Sequence, residues 1–273
     1  MIGETESIPT LAGGPDLLQS DGILMRLPRR RAVQIAIGFV LSVALFGVLL
    51  IWMPYQREMW IASKIKASVG TVGIQFGCFG PAWIPRRFQE RLVIFNRISG
   101  LELTECSQVS MIISDVKALS NVKLIRFYGS DITDRELGHL MGLNTLRILD
   151  LRKTAITDVG LAQIGKMTDL ERLYIGRTQI TDQGLKSVGE LVRLDLFDLD
   201  QIQVSDEGLP HLRGLTRLRQ LGVGNSNVTD NGLEFLHSLP NFDFLDVERT
   251  QVTAEARERL RKTFPKCAIF PNP

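Results

Sequence analysis

Hydrophobic residues between positions 98 and 270 switch regularly between two spacings. In the unit over 170–193, Leu173 and Ile175 alternate with other residues, which is the spacing of a half-buried strand. Leu185 and Val188 then follow at the spacing of an amphipathic helix. Each such unit therefore predicts a strand, a turn and a short helix.

The turn carries a phrase, Ile-Thr-Asp or a close variant, that recurs at a constant 24-residue spacing. It begins at Ile132, Ile156, Ile180, Val204, Val228 and Val252. A constant period of this length is typical of a repeat array in which each unit stacks on its neighbours. The array has five clear units over 122–241, a degenerate first unit over 98–121 and a charged last unit that reads as a polar cap.

Three columns of the repeat have a predicted structural role. The Thr or Ser of the phrase is a predicted helix N-cap, and the following Asp favours the positive end of the helix. A glycine column predicts close packing between neighbouring helices, and it comprises Gly160, Gly184, Gly208 and Gly232, with Glu136 and Ala256 as exceptions. A hydroxyl column, interrupted by Ile202, predicts hydrogen bonds to the backbone between coils, and it comprises Thr154, Thr178, Ser226 and Thr250.

The pattern LxxLxLxxTxITDxGLxxLxxL over roughly 98–270 resembles the leucine-rich repeat. It is closest to the ITDxGL subtype of F-box-type substrate receptors and of bacterial membrane-anchored leucine-rich repeat proteins. The resemblance implies an α/β fold, a right-handed solenoid with parallel strands on the concave side and short helices on the convex side. A strand over Cys267–Phe270 is expected to close a repeat domain that covers 98–273.

The first third of the chain has a different character. Residues 1–25 are polar and aperiodic, which predicts a disordered tail, and a basic run follows over 26–31. Residues 32–53 carry no charge, and about 20 such residues span a bilayer as a helix. We expect residues 54–97 to link this segment to the array and to cover its open N-terminal end.

Two other interpretations of residues 32–53 compete with a single transmembrane helix. A cleaved signal peptide has a shorter apolar core and a small-residue cleavage site, and a buried soluble helix shows polar positions at helical spacing. Neither feature is present, so a signal-anchor is favoured. The basic run before the span places the N-terminus in the cytoplasm and the repeats on the extracytoplasmic side, by the positive-inside rule.

The residue types that usually perform catalysis or bind metals form no recognisable site in the sequence. We expect no catalytic residues, no cofactor and no metal site, because phosphate loops, nucleophile elbows and HExxH motifs are absent and the histidines do not cluster. Net charge is only +2, so no nucleic-acid partner and no small-molecule substrate is indicated. Cys78 and Cys106 are the only cysteines near enough to pair, but small buried thiols are the favoured interpretation.

The exposed strand positions are the candidate partner surface because they vary from unit to unit while the core positions do not. The predicted binding residues are Arg126, Tyr128, Asp150, Arg152, Tyr174, Asp198, Asp200 and Asp246. Tyrosine and arginine are frequent hot spots, and Gly222 and Gly224 leave a flat gap that a ligand could approach. An unconstrained solvated surface would vary in the same way, and this alternative stays open.

These features favour a single-pass, membrane-anchored protein that recognises an unidentified protein or peptide at the cell envelope, with membrane contact through residues 32–53. A structural envelope component that self-associates or binds a cell-wall polymer is the alternative. A substrate receptor of a degradation complex is less favoured, since no F-box-like domain is evident.

Overall fold

A computed structural model of the protein describes residues 29–69, 73–78 and 96–271. Its contacts divide the chain into two units, residues 1–48 and residues 49–273. The predicted disordered tail over 1–25 and part of the predicted linker over 54–97 lie outside the described residues.

The first element is a long helix, α1, over Arg29–Val69, with Pro54 in its interior. Among the residues that the structure describes, no helix has both the length and the apolar character needed to cross a membrane. The transmembrane helix predicted over 32–53 is not confirmed by this finding.

The described strands form one nine-stranded sheet whose order follows the chain. The strands are β1 (Gly73–Cys78), β2 (Asn96–Glu102), β3 (Leu124–Arg126), β4 (Ile148–Asp150), β5 (Arg172–Tyr174), β6 (Leu196–Asp198), β7 (Gln220–Gly222), β8 (Phe244–Asp246) and β9 (Ala268–Phe270). The β1 strand pairs with β2 in the antiparallel direction, and all later neighbours are parallel. The predicted strand in every unit and the predicted closing strand are therefore confirmed.

The sheet buries the middle residue of each three-residue strand and leaves the flanking residues more exposed. Leu149, Leu173, Phe197 and Leu221 are fully buried at these middle positions. Adjacent parallel strands pair in a register that advances by one repeat, for example Leu149 with Leu173. The constant period therefore places equivalent residues side by side across the whole sheet.

Helical segments return the chain from each strand to the next. They are α2 (Val109–Val116), α3 (Asp134–Leu137), α4 (Asp158–Ile164), α5 (Asp182–Leu185) and α6 (Ala254–Thr263), together with 3₁₀ helices over Gly138–Leu140, Leu209–Gly214 and Asn231–Ser238. The short helix predicted in every unit is therefore confirmed, and in two of the units it is a 3₁₀ helix, whose backbone bonds run from i to i+3.

The turn phrase forms a ladder that the sequence reading missed. The Asp of each phrase accepts hydrogen bonds from both the backbone N–H and the hydroxyl of the Thr or Ser in the next unit. Asp158, for example, lies 2.8 Å from Thr181 N and 2.7 Å from Thr181 Oγ1. The same pair of bonds joins Asp134 to Thr157, Asp182 to Ser205, Asp206 to Thr229 and Asp230 to Thr253.

This ladder explains the glycine column. A Cβ at Gly184 would overlap Oδ1 of Asp158, and a Cβ at Gly208 would overlap both Oδ1 of Asp182 and Cδ1 of Leu185. Because these residues lie in the helices of the preceding units, the predicted close packing between neighbouring helices is confirmed, and the glycines leave room for the carboxylate in particular. The aspartates of the phrase, from Asp134 to Asp230, and the glycines of the column, from Gly160 to Gly232, are called the Asp–Gly ladder below.

The first clear unit has no such Asp before it, and Glu136 takes its place. Glu136 occupies the glycine position, and its Oε2 accepts hydrogen bonds from Thr133 N at 3.0 Å and from Thr133 Oγ1 at 2.5 Å. Burial raises the pKa of Glu136, but the bonds from Thr133 outweigh it and the pKa is lowered. The exception in the column thus supplies from its own unit the carboxylate that inner units receive from a neighbour.

The hydroxyl column also differs from the prediction. Thr154 Oγ1 donates to the carbonyl of Leu151 at 2.6 Å, and Ser226 Oγ donates to the carbonyl of Val223. These bonds span three residues within one coil, so they close the local turn and do not join coils.

The N-terminal end of the array is covered by the C-terminal half of α1, within residues 49–273. Ile61 and Ile65 are buried in the core of the array. Glu58 is buried and accepts hydrogen bonds from Ile98 N at 3.2 Å and from Ser120 Oγ at 3.0 Å. A buried carboxylate thus satisfies polar groups that an open solenoid end would expose.

Candidate functional site

The exposed side of the sheet, called the sheet face below, brings all eight predicted binding residues into two columns. The first column runs through paired strand positions and comprises Glu102, Arg126, Asp150, Tyr174, Asp198, Gly222, Asp246 and Phe270. The second column lies two residues further along each unit and comprises Tyr128, Arg152, Gly176, Asp200, Gly224 and Glu248. Neighbouring strands are about 4.8 Å apart, so Arg126 and Asp246 are too distant to contact one single side chain.

Arg152 is the centre of the N-terminal half of the sheet face. Its guanidinium binds Asp150 with both ends, at 3.0 Å from Nε to Oδ1 and 2.6 Å from Nη2 to Oδ2. It also lies 4.9 Å from the ring centroid of Tyr174 and 5.6 Å from that of Tyr128, within cation–π range. The hydrogen bonds that Arg152 donates to Asp150 raise the pKa of the Arg152 guanidinium. Four of the predicted residues therefore form one ordered cluster.

Asp150 has a supporting place in this cluster. It is only 2% exposed, and both of its oxygens are occupied by Arg152. A partner would therefore touch the two tyrosine rings and the outer edge of Arg152, while Asp150 fixes the orientation of the guanidinium. Arg126 lies beside this cluster and is paired with Glu102 of the preceding unit, a residue that the sequence reading did not select.

The C-terminal half of the sheet face carries an excess of carboxylates. Asp198 Oδ1 accepts from Asp200 N at 3.0 Å, and Asp246 Oδ1 accepts from Glu248 N at 2.9 Å. Arg152 Nη1 is 3.9 Å from Asp198 Oδ2, so the nearest cation is shared with Asp150. Within the described ranges, Asp200 and Asp246 form no salt bridge.

The pKa values reflect this excess charge. Burial raises the pKa of Asp198, and the charges of Asp200 and Asp150 add to the effect, although the bond from Asp200 N and the charge of Arg152 oppose it. Burial likewise raises the pKa of Asp246, with Asp200 and Glu248 adding to the rise against the bond from Glu248 N. Each carboxylate is thus partly desolvated and faces others of the same sign.

A cavity of about 270 Å³ opens on this half of the sheet face. Gly222 lies in its floor, because the first column has no side chain at that position. The lining includes Tyr174, Asp198, Asp200, Gly222, Phe244 and Asp246. The gap predicted at Gly222 is therefore a depression with side chains around it, and Phe244 is a lining residue that is not among the predicted binding residues.

Among the residues that the structure describes, the cysteines and histidines form no second site. Cys106 and Cys267 are free and buried, and burial raises the pKa of both thiols, that of Cys267 to about 11. The side chain of Cys78 is not described. Searching the described residues gives no group of three His, Cys, Asp or Glu side chains placed to hold a metal ion.

Comparison with known proteins identifies the class of the fold. Residues 142–165 and 166–189 match a family model described as Leucine Rich repeat, and each matched segment has the 24-residue length of the unit. No curated protein matches the chain. The described array is therefore a leucine-rich repeat solenoid with parallel strands and short helices.

Several solved structures are similar to part of this chain. An internalin (inlF) from Listeria monocytogenes has 24% identity and a TM-score of 0.50, over 59% of this chain and 45% of that one. Internalin C2 from the same organism has 21% identity and a TM-score of 0.47, over 59% and 79%. A leucine-rich repeat protein from Leptospira interrogans has 17% identity and a TM-score of 0.37, over 57% and 50%. This chain thus spans less than half of the first structure, and at 24% identity that structure shows the fold alone.

Proposed function

We propose that this protein recognises another protein or a peptide through the sheet face of its leucine-rich repeats, while a single membrane helix over 32–53 holds it at the cell envelope. Leucine-rich repeat solenoids offer extended surfaces suited to protein recognition. The observation that carries the proposal is the Arg152 cluster, where a buried carboxylate fixes an arginine between two partly exposed tyrosine rings.

An ordered cluster of this kind binds at low entropic cost. Tyr and Arg are the residue types that dominate binding hot spots, and a side chain already fixed in place loses little freedom when a partner arrives. The cluster lies in the N-terminal half of the sheet face, with repeats on both sides of it. These properties favour a protein partner over a polymer held by scattered surface contacts.

The test compares partner capture by the full chain and by the variant Tyr174→Ala/Asp198→Arg. Full-length protein in detergent is immobilised and incubated with solubilised envelope, and bound proteins are identified. We expect a defined protein to bind wild type and to be lost from the variant. The control is Glu207→Gln, which removes a charge from an exposed position on the turn side.

Equal capture by wild type and variant would show that the partner does not bind through the sheet face. Self-association of the pure chain, without any captured protein, would instead support the structural alternative.

The membrane part of the proposal rests on the uncharged sequence over 32–53 and has its own test. Membranes from cells that express the full chain are washed with alkaline carbonate, and a matched chain lacking 32–53 is treated in parallel. We expect the full chain to stay in the pellet and the deletion to be released. Protease digestion of intact cells then reports the side of the repeats, which the positive-inside rule places outside the cytoplasm. Release of the full chain by carbonate would contradict the anchor.

A further inference from the structure

The cavity at Gly222 has the size of a site for one side chain. Its volume of about 270 Å³ is just below the roughly 300–1,000 Å³ of small-molecule sites. A Cβ built on Gly222 would lie 3.4 Å from Asp198 Oδ1, an ordinary contact distance, so the opening exists because the residue there is glycine. The cavity faces outward from the sheet and is open to a partner.

Three carboxylates in its lining are oriented but not neutralised. Asp198 and Asp246 each use Oδ1 to accept a backbone N–H, and Asp200 Oδ1 accepts from Asn225 Nδ2 at 3.1 Å. These bonds fix the carboxylates and leave the second oxygens of Asp200 and Asp246 for other donors. Among the described residues, Arg152 is the nearest cation, and it makes its two short bonds to Asp150 while lying 3.9 Å from Asp198 Oδ2.

The rest of the lining is aromatic and apolar. Tyr174 forms one wall, and Phe244, whose residue is 38% exposed, forms another. Leu196 lies between them in the neighbouring strand. Such a surface suits a long aliphatic stem, while the carboxylates suit the charged end of the same side chain.

We propose that this cavity binds one lysine or arginine side chain of the protein partner, with its stem against Phe244 and its cationic end among Asp198, Asp200 and Asp246. This inference rests on the proposed function and names the chemistry of its partner. The positive end would form charge-assisted hydrogen bonds with carboxylates already held in position. Tyr174 adds an aromatic wall within reach of the same cation.

The experiment uses ligand-observed NMR with the full chain in detergent micelles. The probes are four peptides, acetyl-Gly-Gly-X-Gly-Gly-amide, in which X is lysine, arginine, norleucine or glutamate, titrated up to about 10 mM because one side chain binds weakly. We expect saturation transfer to the lysine and arginine peptides and none to the glutamate peptide. Norleucine keeps the stem without the charge, so its signal should be much weaker.

Three variants separate the cavity from general charge effects. Asp198→Asn/Asp246→Asn keeps both oxygens that accept backbone N–H groups, and we expect it to weaken binding of the lysine peptide about tenfold. Gly222→Leu fills the cavity and should abolish binding. Glu207→Gln removes one distant negative charge and should change nothing. Circular dichroism confirms that each variant keeps its fold.

The proposal is overturned if no cationic peptide binds at the highest concentration, or if norleucine binds as well as lysine. Equal binding to wild type and Gly222→Leu would also overturn it. Each of these results leaves the proposed function standing if Tyr174→Ala/Asp198→Arg still loses the captured partner, so the two failures are distinguishable.

Discussion

The turn side and the sheet face are built from the same repeats, yet their contacts follow different rules. On the turn side the Asp–Gly ladder makes the same pair of hydrogen bonds at five successive junctions, from Asp134 to Thr253. On the sheet face the side-chain pairing changes between units: Arg152 donates to Asp150, whereas Asp200, at the equivalent position two units later, accepts from Asn225 Nδ2. A contact that recurs with the period belongs to the scaffold, whereas one that does not is a candidate for recognition.

The largest expected effect comes from breaking one junction of the ladder. Asp158→Ala removes the acceptor of two bonds from Thr181, and we expect it to lower the free energy of unfolding by about 3 kcal/mol. Gly184→Ala forces a Cβ onto Asp158 and should cost about 2 kcal/mol. The double variant should cost at least about 1 kcal/mol less than the sum, because the overlapping carboxylate is then absent.

Chemical denaturation followed by far-UV circular dichroism measures these differences on the full chain. The control is Asp169→Ala, which removes the same charge from exposed ion pairs with Arg193 and Arg147 and should cost at most about 1 kcal/mol. Strictly additive losses at Asp158 and Gly184 would show that the glycine column has another purpose.

A smaller effect is expected on the sheet face, with the opposite sign. The pKa of Asp198 is raised above its ordinary value of 3.8 in the folded protein, chiefly by burial, and Asp200 and Asp150 face it. A raised carboxylate pKa means that ionisation destabilises the fold, so this penalty is absent at low pH and grows as pH rises through that pKa. Asp198→Asn should therefore raise the melting temperature at pH 7, with the gain vanishing below the ordinary pKa.

Asn at this position still offers an Oδ1 to Asp200 N, so the comparison isolates the charge. Melting curves between pH 3 and pH 7, roughly the span between the ordinary pKa of Asp and neutrality, give the result. A variant less stable than wild type at pH 7 would mean that attraction from Arg152 outweighs burial, and that Asp198 belongs to the scaffold.

The fold was predictable because a constant period fixes strand register without any knowledge of side-chain contacts. The ladder was missed although the sequence contains its signal. The Asp column starts at Asp134 and the Gly column one unit later, at Gly160, because each glycine accommodates the Asp before it. Glu136 stands where no ladder Asp precedes the unit, so this exception carried the information, whereas Ala256 follows Asp230 and departs from the rule.

The candidate site was predictable only as two columns. Periodicity places Arg152 beside Asp150, Tyr128 and Tyr174, but it does not predict which carboxylate the guanidinium binds. In the structure Arg152 makes its two short bonds to the buried Asp150 and lies 3.9 Å from Asp198 Oδ2, which leaves Asp200 and Asp246 without a salt bridge among the described residues. Which carboxylate the guanidinium binds depends on burial and side-chain geometry, and the pattern of strand residues does not predict either.

The smallest effect is expected in the turn that joins the two regions. Arg177 follows β5 with a φ of 56°, in the left-handed region, and Asn225 occupies the same position with a φ of 54°. Asn tolerates this conformation better than Arg, so Arg177→Asn should stabilise the protein by about 0.5 kcal/mol. Arg217→Asn, at an exposed position outside this column, is the matched control and should be neutral. Denaturation midpoints decide between them, and a loss of stability at Arg177 would show that its side chain makes a contact that outweighs the backbone strain.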